Sequence, residues 1–203
     1  MKLIPIIVAA FISLAITSSG SDNAVADFVT EYANDTYENE DFTEFIYVGI
    51  KRQKLYHIKD NNLVNVYNVS TSKKGAGNKF GSFQTPTGLH VIEGKHGDKV
   101  PIGGVIVNKE FTGEITEIYA DRTDTSDDFI TTRVLTLSGK ERGLNSGSSK
   151  VDTYKRQIYI HGTAEEGLIG SPASHGCIRM RNVEVVELFN SIQPGTRVLI
   201  LDN

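Results

Sequence analysis

The chain has 203 residues, 39% of them hydrophobic and 23% charged, with a formal net charge of −4. This length can bury one sizeable core, and the composition excludes a chain that is disordered throughout. Nineteen glycines against five prolines, with valine, isoleucine, threonine and tyrosine well represented, favour strands joined by tight turns.

Lys2 and the apolar run from Leu3 to Ile16 have the form of an export signal, followed by a small-residue stretch. Ala24 and Ala26 fit cleavage before Asp27, while Ser18 and Gly20 fit an earlier cut. The run is shorter than the ~20 residues that span a bilayer. The expectation is a signal peptide over 1–26, no stable membrane span after processing, and a periplasmic or cell-envelope location. Residues 27–44 contain seven acidic side chains and no basic one. They read as a short helical leader, with Phe28 and Tyr32 at helical spacing, or as a solvated linker. Residues 45–203 then carry 20 basic side chains against 17 acidic ones, a formal +3 that is too mild for nucleic-acid binding.

The remaining chain, 45–203, reads as one domain. Phe45–Ile50, Lys54–Ile58 and Leu63–Ser70 are strand-like, with a turn at Lys59–Asn62, and suggest a meander in which His57 is structural. The glycine-rich stretch Lys73–Ser82 lacks the ending of a phosphate loop. Thr85-Pro86-Thr87-Gly88 suits a turn into a strand at Leu89–Ile92. His90 and His96 lack acidic or thiol partners at matching spacing and read as surface residues. Lys95–Gly104 is loop-like, Ile115–Ala120 fits a strand or a helical turn, and Phe129–Leu137 is a strong strand. Gly143–Ser149 is a flexible loop. Near the end, Asn182 reads as the N-cap of a helix over Val183–Ser191, Pro194-Gly195 as its stop, and Thr196–Leu201 as a closing strand.

Between these elements lies the chemically dense stretch Ser174-His175-Gly176-Cys177-Ile178-Arg179-Met180. Cys177 is the only cysteine. An exported chain usually pairs its cysteines or avoids them, so one thiol is either inert and buried or kept for its reactivity. A histidine, a glycine and an arginine adjoin it, and such neighbours favour a thiolate nucleophile. Upstream, Gln157–His161 alternates, with Ile158 and Ile160 on one face and Tyr159 and His161 on the other. If Ser174–Met180 were a regular strand, His175, Cys177 and Arg179 would share a face. Arg179 would then hold a substrate carboxylate, favour the thiolate, or form a structural ion pair. Ser174 is expected to orient a partner by hydrogen bonding, and Gly176 to permit close approach of the backbone to an oxyanion.

Ile160-His161-Gly162-Thr163, with twelve residues between His161 and the stretch SerHisGlyCysIleArgMet that starts at Ser174, resembles the signature of the L,D-transpeptidase catalytic domain family. The threonine-proline turn at 85–88 and the closing helix, Pro-Gly and strand resemble that family too. The resemblance spans about Phe45 to the C-terminus. It implies a mostly β fold, a mixed sheet curled into a sandwich or barrel-like form with a short C-terminal helix, and no cofactor. It also implies acyl transfer on peptidoglycan stem peptides. Cys177 would be the nucleophile and His161 the base, oriented by a backbone carbonyl near Gly162. The N–H groups around His175, Gly176 and Cys177 would receive the oxyanion, and Arg179 and Tyr159 would hold substrate. The acceptor would be a second stem peptide or a wall-anchored lipoprotein. Three alternatives stay open: the same thiol passing its acyl group to water, a zinc site on His161, His175 and Cys177, and a non-catalytic wall-binding module.

Overall fold

The computed structural model describes residues 13–125 and 128–203. The expected export signal therefore lies in part outside the described residues. From Ser13 a helix, α1, runs to Thr36. It is longer than the short leader expected, and its buried stripe is Ala26, Val29 and Ala33, whereas Phe28 is exposed. No helix among the described residues is long and apolar enough to cross a membrane.

Ten strands follow: β1 (Glu44–Gly49), β2 (Lys54–Lys59), β3 (Asn62–Asn68), β4 (Gly88–His96), β5 (Gly104–Val107), β6 (Glu110–Ile115), β7 (Ile130–Gly139), β8 (Tyr159–Thr163), β9 (Ile178–Met180) and β10 (Arg197–Leu201). A 3-10 turn at Glu166–Leu168 and the helix α2 (Asn182–Ser191) complete the chain. The main sheet runs β3-β2-β1-β10-β4-β7-β5-β6, and β7 also pairs β8, which in turn pairs β9. β1 with β10 and β8 with β9 are parallel; the other pairings are antiparallel.

Alternation along the central strands explains why both faces of this sheet are covered. Ile46 and Val48 of β1, with Val198 and Ile200 of β10, face α2 and pack with Val185, Leu188 and Phe189. Phe45 and Tyr47, with Leu199, face the other way and pack with Ala26, Val29 and Ala33 of α1. Burying each large side chain is worth about 1.5–3 kcal/mol, so α2 cannot leave the sheet cheaply.

Two hairpins use the same device. Asp60 and Asn61 join β2 to β3, and Asn108 and Lys109 join β5 to β6, all four at positive φ. Two such residues give the turn that matches the twist of paired strands. The second hairpin falls in a region with no expected strand before Ile115. The Lys95–Gly104 loop is also shorter than expected, because β4 continues to His96.

Candidate active site

β7 is the strand on which the site is built. It pairs with β8 so that Val134 faces His161 and Thr136 faces Tyr159. Between Thr131 and Val134 the register shifts, and Thr132 takes a φ of 66°, an uncommon conformation for a β-branched residue. Its hydroxyl donates to Asn182 Oδ1 at 2.5 Å, as the Thr131 hydroxyl does at 2.7 Å. Asn182 also donates from Nδ2 to Thr163 O and to Glu166 Oε1. It is the first residue of α2, not its cap, and it ties the bulge of β7 to the end of β8.

β9 lies parallel to β8, with Ile160 opposite Ile178 and His161 opposite Arg179. Paired residues point to the same face, so Ile160 and Ile178 enter the main core. Tyr159 and Cys177 lie together against Val100, Ile106 and Val134 on the other face. Cys177, one residue before β9, thus lies two residues ahead of Arg179, the partner of His161. His161 is buried, and its Nδ1 donates to the Gly162 carbonyl at 2.7 Å. A carbonyl can only accept, so the proton sits on Nδ1 and Nε2 keeps its lone pair. A side chain at Gly162 would meet Asn182 Oδ1 at 2.6 Å and Thr131 O at 2.8 Å, so only glycine fits this position.

The approach to Cys177 is not the regular strand expected. β9 begins only at Ile178, and Gly176 has a φ of 128°, where a Cβ would also crowd Ile158 and the Gln84 carbonyl. Ser174 closes this turn on itself, donating to the Cys177 carbonyl at 2.6 Å and accepting from Gly176 N at 3.2 Å. It therefore braces backbone and orients no imidazole. The Gly176 amide, expected in an oxyanion hole, is already engaged. Outside the turn, Ser70 exchanges backbone hydrogen bonds with Arg179, and Lys73 N donates to the Ser174 carbonyl.

Charge in the site is carried by groups the sequence reading did not connect. Arg179 is buried and pairs with Glu165 at 2.6 Å and Asp128 at 2.5 Å. Two carboxylates already hold it, so the expected substrate carboxylate has no place there, and the ion-pair reading is the one observed. The second oxygen of Asp128 accepts from His175 Nδ1 at 2.7 Å, which turns the half-exposed His175 to the β6–β7 loop. Glu165 accepts from the backbone and hydroxyl of Thr125, pinning the same loop. Tyr159 is buried in the apolar wall behind the thiol, so it shapes the site from beneath and does not line an open groove.

The protonation of the pair also differs from expectation. Cys177 as a residue is partly exposed, but its sulfur sits against the apolar cluster. Desolvation pushes the thiol up to about 11, against the lowering effects of the Tyr159 amide, Arg179 and Arg156. The thiol donates to the Gln157 carbonyl at 3.6 Å. Burial lowers the pKa of His161, partly offset by its bond to Gly162 and by Asp128. Both shifts favour a neutral thiol and a neutral imidazole at rest.

The other histidines are not part of this chemistry. His57 on β2 pairs with Glu44 of β1. His90 is fully buried, contrary to the surface reading, between the Gly88 carbonyl and the Thr153 hydroxyl, and desolvation lowers it to about 4. Among the described residues, no three His, Cys, Asp or Glu side chains converge on a point that could hold a metal ion. Arg156, Asp128, Glu165 and Asn182 lay outside the sequence-based site; Arg156, a basic residue at the mouth of an apolar strand, was the one with a visible signal.

A strand-borne His-Gly pair beside SerHisGlyCys agrees with the comparison that decides the matter: the L,D-transpeptidase catalytic domain model, YkuD, matches residues 43–200. The chain belongs to the L,D-transpeptidase catalytic domain family. YqjB of Bacillus subtilis, named for this L,D-transpeptidase family, is 59% identical over 48 residues, 23% of this chain and 27% of that protein. YcfS of Escherichia coli, another protein with an L,D-transpeptidase name, is 24% identical over 160 residues, 78% of this chain and 44% of that protein. The matched region thus spans less than half the length of either relative. Among solved L,D-transpeptidase structures, LdtMt1 in complex with imipenem aligns with a TM-score of 0.48 at 13% identity, over 78% of this chain and 59% of that chain. An Enterococcus faecium L,D-transpeptidase aligns with a TM-score of 0.48 at 15% identity, over 78% and 50%.

Proposed function

We propose that this protein is an exported peptidoglycan L,D-transpeptidase in which Cys177 and His161 perform acyl transfer. The observation that carries this reading is the fixed tautomer of His161. Its Nδ1–H is held by the Gly162 carbonyl, and its basic Nε2 is left on the face shared with Cys177.

In the first half-reaction Nε2 takes the thiol proton as sulfur attacks the carbonyl that precedes the terminal D-residue of a tetrapeptide stem. The carbon–sulfur bond forms, and the oxyanion is met by the main-chain N–H groups of His175 and Cys177. The carbon–nitrogen bond then breaks, and the His161 imidazolium returns the proton to the departing amine. In the second half an acceptor amine attacks the thioester, gives its proton to His161, and the thiolate leaves and is reprotonated. Because the resting pair is neutral, proton transfer and attack are coupled, and no charge has to persist in the desolvated site. The acceptor amine would come from a neighbouring stem or a wall-anchored lipoprotein. The domain would act in the cell envelope, with residues 1–26 as its signal and 27–44 as its leader.

Incubating the protein with a disaccharide-tetrapeptide and a free D-amino acid, with Cys177→Ala alongside, tests this by product mass. Exchanged or cross-linked product that vanishes in the variant is expected. A tripeptide as the sole product would replace transfer by hydrolysis, and identical inactivity of both proteins would contradict the proposal.

A further inference from the structure

Arg156 is held by two main-chain carbonyls. Its Nη1 donates to the Gly77 carbonyl at 3.0 Å and its Nη2 to the Gln84 carbonyl at 2.5 Å. Among the described residues no carboxylate forms a salt bridge with it, in contrast to Arg179 with its two. A guanidinium has five N–H donors, so several remain for a ligand. Carbonyl partners fix its plane without neutralising it. Partial burial of an uncompensated arginine is costly and is repaid when an anion arrives.

The anion has a place to sit. A cavity of about 250 Å³ is lined by Phe80, Gly81, Phe83, Arg156, Ile158 and His175. Arg156 and Ile158 flank Gln157, whose carbonyl receives the Cys177 thiol, and His175 lies two residues before that thiol. The cavity is therefore lined by the chain neighbours of Gln157 and Cys177, next to the segment that holds the thiol. Its walls combine one cation with small and apolar surfaces. A second cavity of about 690 Å³ shares Phe80 and is lined by Lys79, Lys150 and Lys155, so positive charge continues along the same flank.

We propose that this cavity receives the departing end of the acyl donor, and that Arg156 holds its C-terminal carboxylate. The inference rests on the transpeptidase reading, in which a single small residue bearing a free carboxylate lies one bond beyond the carbonyl that sulfur attacks. A guanidinium held in plane by two carbonyls can meet that carboxylate with charge-assisted hydrogen bonds. The Arg179 guanidinium, by contrast, is buried and already held by two carboxylates. Arg156 then selects peptides that end at the residue to be expelled.

The test is a calorimetric titration of full-length Cys177→Ala protein with a stem tetrapeptide and with the same peptide as its C-terminal carboxamide. The free acid is expected to bind about tenfold more tightly. Arg156→Gln in the same background should bring the two affinities together, and Arg156→Lys should restore part of the preference. A bracing role for Arg156 alone would weaken both peptides equally. Equal affinities with Arg156 intact overturn the proposal and need no folded Arg156 variant; so do binding of neither peptide and a preference that survives Arg156→Gln. Failure of the transpeptidase reading is seen separately: an Arg156-dependent acid preference, with no D-residue released by the unsubstituted protein, would remove the transfer reading and reduce Arg156 to a carboxylate-binding residue with no departing group to hold.

Discussion

The site is assembled from two kinds of structure that hold their residues differently. His161, Tyr159 and Arg179 stand on β8 and β9, with Cys177 one residue before β9, and main-chain ladders fix their spacing. Asp128, His175 and Arg156 stand on loops and are placed by individual ion pairs and side-chain bonds to carbonyls. The difference teaches where each function resides. The proposed nucleophile and base need a separation that does not vary, which the β8–β9 pairing supplies for His161 and, one residue beyond its end, for Cys177. The groups proposed to meet substrate stand on the more adaptable surface around it. Arg179 and Glu165 join the two regions, since the arginine is on β9 and one of its carboxylates comes from the β6–β7 loop.

Substitutions should separate the two regions by the quantity they change. The largest effect belongs to the strands. His161→Ala is expected to lower kcat by roughly 10²–10⁴-fold with little change in substrate affinity, measured by steady-state release of the terminal D-residue. Next comes the joint. Glu165→Gln leaves the buried Arg179 short of one charge and should cost about 3 kcal/mol in denaturant unfolding, because both side chains are 1% exposed. The smallest is expected on the loop. Asp128→Asn removes the other carboxylate, which is a quarter exposed, and should cost about 1 kcal/mol, less in high salt. Equal losses for Glu165→Gln and Asp128→Asn would erase the distinction between a buried joint and a tunable rim.

Legibility in the sequence follows the same division. β1 to β3, β7, β8, α2 and β10 could be read because alternation, β-branched runs and a Pro-Gly stop are local signals. The shared face of Tyr159 with His161 followed from period two alone. Cys177 and His161 stood out through residue chemistry and through the spacing of a known signature. What escaped depends on contacts distant in the chain. Nothing near Asp128 announces that it meets His175 forty-seven residues later, and the carboxylates of Arg179 are invisible from its own neighbourhood. For that reason the sequence leaves substrate binding, thiolate support and a structural ion pair all open for Arg179, and the structure shows the last. His90 was misplaced on the surface because its partners, the Gly88 carbonyl and Thr153, satisfy it in a way that spacing does not reveal. The β5–β6 hairpin escaped because Asn108 and Lys109 turn it without a glycine.

The most direct test of a desolvated, neutral thiol–imidazole pair is the pH dependence of Cys177 alkylation by iodoacetamide, followed by intact mass. Only the thiolate reacts. A thiol raised to about 11 is protonated throughout the neutral range, so the rate should be slow at pH 7 and climb without levelling until the pH nears 11. A rate that is already at its plateau below pH 7 would reveal a preformed thiolate–imidazolium pair and contradict the mechanism.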